Sequence, residues 1–271
     1  MSRVPKEFHE YIVAPTRAHV GHEDYLKSPG TAFLKYTVEA KSAIDLTCRK
    51  LPTKADGSLT KDSLDSIQHL TAAMVPAIMG HFETYQRYLF AGMFDASTYL
   101  KKFSVDDFIK RLSKDVSIIL DPVRLAAHRG LGAQSIGLLM ADSINGWQNP
   151  RRVNQYFDAF GLKRQLLSTE SCERLEVLWQ MRHAIVHTGG TLTLPDAQKV
   201  PALAEHGNKK LVFENRLVYE ISRKLHPLIK DSTVGMGQAF KSRLVPGTPT
   251  DVAATLDDLF AVKSSVAVWL R

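Results

Sequence analysis

Leu175-Glu176-Val177-Leu178-Trp179-Gln180-Met181-Arg182-His183-Ala184-Ile185-Val186-His187-Thr188-Gly189-Gly190 sets the fold class of this chain. Leu175, Leu178, Trp179, Arg182 and Ile185 recur at three- and four-residue steps, the spacing of one face of an α-helix. Ser168 to Glu173 offers several residues suited to cap its start. Gly189 or Gly190 offers the left-handed residue that ends it. One arginine and two histidines therefore stand in the last turns of an apolar helix, where polar chemistry is unusual.

Those three residues have the right chemistry for a phosphate ester. Arg182 presents a rigid fork of donors matched to phosphate oxygens. The imidazoles of His183 and His187 suit proton transfer near neutral pH. His183 and His187 are four apart and share a stripe. Arg182 and His187 are five apart and diverge by roughly 140° around the axis. Their heads converge only if the arginine bends round or if a second copy of the helix faces the first, so a homodimer is expected. Spacing alone is cheap, because Arg17-Ala18-His19-Val20-Gly21-His22 repeats it in a segment broken by Pro15, Gly21, Pro29 and Gly30. Helical context separates the two copies.

Outward from this helix the chain reads as mainly α. Residues 1–30 form an irregular N-terminal arm. Thr31 to Leu51 is a helix closed by Pro52. Asp62 or Ser63 caps the next, whose apolar residues from Leu64 to Tyr85 keep helical spacing to about Phe94; Pro76 should kink or divide it. Ser104 to Asp107 resembles a capping box before a short helix. Asp115 to His128 is ambiguous, and Ile136 to Ile144 is apolar. Asn149-Pro150 opens a polar helix over Arg151 to Phe160, ended by Gly161. Thr191 to Leu194 is expected extended, and Leu211-Val212-Phe213 and Leu217 to Ile221 read as strand or helix start. Ser222 to Arg243 reads as a helix despite Pro227, and Asp251 to Arg271 as a final helix. The expected organisation is an arm and first helix over 1–60, a helical domain over 61–245, and a C-terminal helix over 246–271 packed on it.

Composition narrows the class. With 271 residues there is material for one large domain or two small ones. No apolar run is long enough to cross a bilayer, so no membrane association is expected. Met1 to Glu10 has no apolar signal region. Cys48 and Cys172 lack any metal-ligand spacing, and a reduced cytoplasmic setting follows. A net charge of +7 favours phosphate polymers, though the positive charges are scattered in short pairs such as Arg151-Arg152.

The Leu175–Gly190 stretch resembles the signature helix of the HEPN superfamily, helical bundles carrying an Arg-x4–6-His motif with a polar residue after the arginine. Trp147 to Leu162 and the upstream helix with His81, Phe82, Glu83 and Tyr85 are similar to neighbouring parts of prokaryotic members, and the resemblance covers roughly residues 62–243. It implies a HEPN-like helical bundle with short irregular or β insertions. It also implies a metal-independent endoribonuclease that attacks through the ribose 2′-OH, in a toxin or anti-phage system, with RNA as substrate, a homodimer as the active state, and an antitoxin or defence protein as a further partner. Within it His187 acts as general base or acid, Arg182 holds the scissile phosphate, and His183 orients or assists. His81, Glu83, Arg151 and Arg152 are read as substrate-binding candidates, with a satisfied, partly buried pair as the other reading of His81 and Glu83. Members paired with a nucleotidyltransferase antitoxin have tyrosine two residues after the histidine; Gly189 stands there instead.

Competing readings stay open. Some members of the family are non-catalytic RNA- or protein-binding modules. His183 and His187 have the spacing of two zinc ligands, but no third is evident and no metal or cofactor is expected. His19, His22, Glu23 and Asp24 form a looser cluster on the arm. Gly130-Leu131-Gly132 lacks the spacing of a nucleotide fingerprint.

Overall fold

Helix α3 (Lys61–Asp95) is the axis of the described residues, and the helices packed on it include α2 (Pro29–Lys50), α5 (Ile136–Ser143), α7 (Thr169–His187) and α9 (Leu217–Lys241). The computed structural model describes residues 7–113, 135–214 and 216–264. Ile67, Val75, Ile78, Phe82, Tyr85, Leu89, Phe90 and Met93 of α3 are fully buried. That is a wide apolar face at three- and four-residue steps, and each such side chain contributes about 1.5–3 kcal/mol of burial. Thr60, rather than Asp62 or Ser63, caps the helix by accepting from the Ser63 N–H at 3.2 Å. Pro76 lies inside α3 and does not divide it.

The N-terminal part differs from expectation. His22–Lys27 forms a short helix, α1, whose Tyr25 is buried, and α2 starts at Pro29, not Thr31. Pro29 and Gly30, read from sequence as breakers, are the first turn of α2. Proline at a first helical turn gives up an N–H that has no partner anyway. Gly30 is packed against the side chains of Thr233 and Val262. The final helix is also shorter than expected: α10 covers Thr250–Leu259, and the chain then turns so that the Ala261 carbonyl accepts from the hydroxyls of Ser28 and Thr31. Residues 265–271 lie outside the described residues, as do the whole of Asp115–His128 and the Gly130-Leu131-Gly132 stretch.

Between these come α4 (Val105–Ser113) and α6 (Pro150–Asp158), the latter capped by Asn149 through the N–H groups of Arg151 and Arg152. Phe90, Phe108, Trp147, Phe157 and Phe160 pack edge-on or tilted as one aromatic cluster. The loop before α7 is held by Asn154, whose amide donates to the Leu167 carbonyl and accepts from the Leu167 N–H, both at 2.8 Å.

After α7 the chain makes a small insertion: β1 (Thr191–Leu192), α8 (Leu194–Gln198), a 3-10 turn over Pro201–His206, and β2 (Lys209–Lys210). β1 and β2 pair antiparallel, Thr191 opposite Lys210. Only Thr191-Leu192 of the expected extended stretch is strand; Thr193 turns the chain by capping α8 through the Asp196 N–H at 3.3 Å. Leu211 to Phe213 is irregular, and Leu217 to Ile221 is the start of α9. The chain is mainly helical, and among the described residues this two-stranded sheet is its only sheet. No helix of the described residues is long and apolar enough to cross a membrane.

Candidate functional site

The end of α7 is built to stop at a fixed point. Ser168 caps its start from the Ser171 N–H at 3.1 Å. At its end, the Thr188 N–H, the Thr188 hydroxyl and the Gly190 N–H converge on the Ala184 carbonyl at 3.1, 2.8 and 2.9 Å. Gly189 and Gly190 take φ of 62° and 82°, the left-handed region that the double glycine was read to supply. Ala184 is fully buried and anchors a second small core with Leu192, Ala197, Val200 and Leu203 of the insertion. The insertion thereby braces the last turn of α7 from one side.

His183 and His187 project together from that turn. Their ring centroids are 4.7 Å apart and the planes tilt by 44°. His187 is exposed, and it makes no hydrogen bond or ion pair among the described residues. His183 Nε2 lies 4.0 Å from Asp196 Oδ2 on α8. Asp196 is itself held by Lys199 Nζ at 2.7 Å and the Thr193 hydroxyl at 2.8 Å. Donation by Lys199 and then Thr193 keeps its carboxyl below the usual carboxylate range, with His183 a smaller contributor. An ionised carboxylate is thus fixed beside one imidazole of the pair and not beside the other.

Arg182 is half-buried and has no hydrogen bond or ion pair among the described residues. It lies four and seven residues past Leu178 and Leu175, which line a groove between α7 and α9. That groove encloses about 740 Å³, and Leu175, Leu178, Met181, Leu217, Ile221 and Leu228 line it. Arg174, Glu220, Arg223, Lys224 and Asp231 line it as well, and Arg182 is not itself on the lining; His183 is turned toward the insertion by Asp196. Lys209 and Lys210 of β2 are exposed and pair with Leu192 and Thr191, which follow the double glycine.

The other sequence candidates sit apart from this end of α7. His81 is stacked on Tyr36 with centroids 3.4 Å apart, and its Nδ1 is 2.8 Å from the Tyr25 hydroxyl. Burial holds its ring below the usual histidine range, partly offset by Glu39. Glu83 pairs with Arg87 at 2.6 Å, and Arg87 also reaches Asp142 at 3.1 Å. Arg151 bridges α6 to Glu176 of α7 at 2.8 Å. Arg152 is exposed with no ion pair among the described residues. No group of three or more His, Cys, Asp and Glu side chains capable of holding a metal is gathered among the described residues. Sequence reading missed Asp196, although Thr193-Leu194-Pro195-Asp196 has the pattern of a capping box. Comparison with known families, with characterised proteins and with solved structures gives no match for this chain.

Proposed function

We propose that this chain is a metal-independent endoribonuclease of the HEPN type, working as a homodimer. The observation that carries the reading is the pair of imidazoles 4.7 Å apart at an exposed helix end, on the same helix as an arginine with no acidic partner. One imidazole takes the proton of the ribose 2′-OH as that oxygen attacks phosphorus. The other delivers a proton to the departing 5′-oxygen, leaving a 2′,3′-cyclic phosphate. Arg182 balances the charge that gathers on the phosphoryl oxygens. The divergence of Arg182 and His187 around α7 supports a second copy of the chain, because the two side chains need a facing helix to meet. The cysteine usage supports a cytoplasmic setting, and the resemblance adds a role as toxin or anti-phage effector and control by an antitoxin or defence partner.

The test is cleavage of a labelled RNA by purified protein in EDTA. Cutting should persist with EDTA and fall by about 10²-fold or more in both Arg182→Ala and His187→Ala. Loss of cutting on chelation, or full cutting by His187→Ala, overturns the proposal. A second reading, a non-catalytic RNA- or protein-binding module, is favoured by one observation: within a single chain no hydrogen bond or ion pair among the described residues joins Arg182 to either histidine. Saturable RNA binding without cutting at any salt or protein concentration selects that reading.

A further inference from the structure

Away from α7, three stretches of chain are tied together by Arg243, which follows α9. Its Nη1 donates to the Gly161 carbonyl at 2.5 Å and its Nη2 to the Lys101 carbonyl at 3.2 Å. The Lys101 N–H in turn donates to the Arg243 carbonyl at 2.8 Å. Between these stretches lies a hollow of about 100 Å³ whose lining includes Lys102, Ser104, Arg111, Gly161 and Arg243. Gly161 has φ of 68°, and a β-carbon there would lie 2.7 Å from Arg111 Nη1 and 3.6 Å from Arg243 Nη1. The two guanidinium nitrogens are therefore at most 6.3 Å apart, the sum of those distances. Neither arginine has an acidic partner among the described residues, and Lys102 has none either. Among the described residues Asp107 is the one carboxylate on the lining, and it forms no ion pair with them. Lys102 holds a φ of 58°, uncommon for a residue with a side chain.

We propose that this hollow binds one phosphate group. Like charges held this close repel unless an anion lies between them, and here the backbone carbonyls fix one of them in place. The guanidinium forks match phosphate oxygens, Ser104 adds a hydroxyl at the start of α4, and Phe103, Phe108 and Phe160 form an apolar backing that lowers the local dielectric. The volume suits a single tetrahedral anion. The phosphate comes either as the free ion or as the end of a nucleoside monophosphate. None of these residues belongs to the proposed active site, so the hollow stands whether or not the chain cuts RNA.

Isothermal titration calorimetry at fixed ionic strength tests it, with inorganic phosphate, adenosine 5′-monophosphate and adenosine as titrants. Wild type should bind inorganic phosphate saturably at one site. Arg111→Gln, an exposed change whose fold is checked by circular dichroism, should weaken binding at least about tenfold. Asp107→Asn should tighten it, a gain that a purely structural role for these residues does not produce. Tighter binding of the monophosphate than of phosphate assigns the nucleotide as source, and equal binding assigns the free ion. Saturable binding of adenosine alone, no saturable binding of phosphate, or phosphate binding unchanged in both variants overturns the proposal.

Discussion

Gly137 lets α5 press directly onto α3: a β-carbon there would lie 2.1 Å from the Ala91 carbonyl oxygen. Backbone cannot yield as a side chain can, so Gly137→Ala must separate the two helices. The expected cost is about 3 kcal/mol or more, read as a fall in the urea midpoint. Gly189 is the opposite case. Its φ is 62° but nothing lies within 4 Å of the added carbon. Gly189→Ala should therefore cost only the left-handed strain, about 1–2 kcal/mol, in the same measurement. The two glycines also differ in how readable they are. A Gly-Gly pair after a helical pattern announces its own φ, whereas the need for Gly137 comes from a helix more than forty residues earlier. Asp196 was hidden for the same reason: its meaning depends on His183, which only folding brings near.

At the scale of elements, the joint between α1, α2 and α3 should respond to acid. His81 is wedged between Tyr25 and Tyr36, and burial holds its ring below the ordinary value of about 6.5. The fold thus favours neutral His81. Its contribution is complete above that ordinary value and is lost as pH falls through the lowered one. Wild type should lose stability from pH 7.5 to 5, and His81→Gln, which keeps an acceptor for Tyr25, should lose less over the same window in urea melts. An equal loss in both proteins would remove His81 as the cause. Asn154 makes a separate test of how α7 is set. Asn154→Ala strands a buried N–H and C=O of Leu167 and should cost about 2–3 kcal/mol. Long elements were legible because α3 and α9 repeat their apolar spacing over many turns. The ends were not: Pro29-Gly30 reads locally as a break, and only the side chains of Thr233 and Val262 reveal it as a packed first turn. The four-residue β pairing and α8 are too short to show any period at all.

For the whole molecule, the question is whether one chain holds a complete site. Helical geometry alone predicts that Arg182 and His187 diverge, and among the described residues no hydrogen bond or ion pair joins Arg182 to either histidine. If the site forms across a two-fold axis, each active centre takes Arg182 from one protomer and the histidines from the other. Arg182→Ala and His187→Ala are then each inactive alone, yet their mixed dimer keeps one intact centre of two. Half of the dimers in an equal, fully exchanged mixture are mixed, so cleavage should recover to about a quarter of the wild-type rate. A site contained in one chain gives no recovery, because every chain in the mixture lacks one group. Recovery should also depend on total protein concentration, falling on dilution as dimers separate. Recovery independent of concentration would place the exchange outside a dimer and remove the shared site.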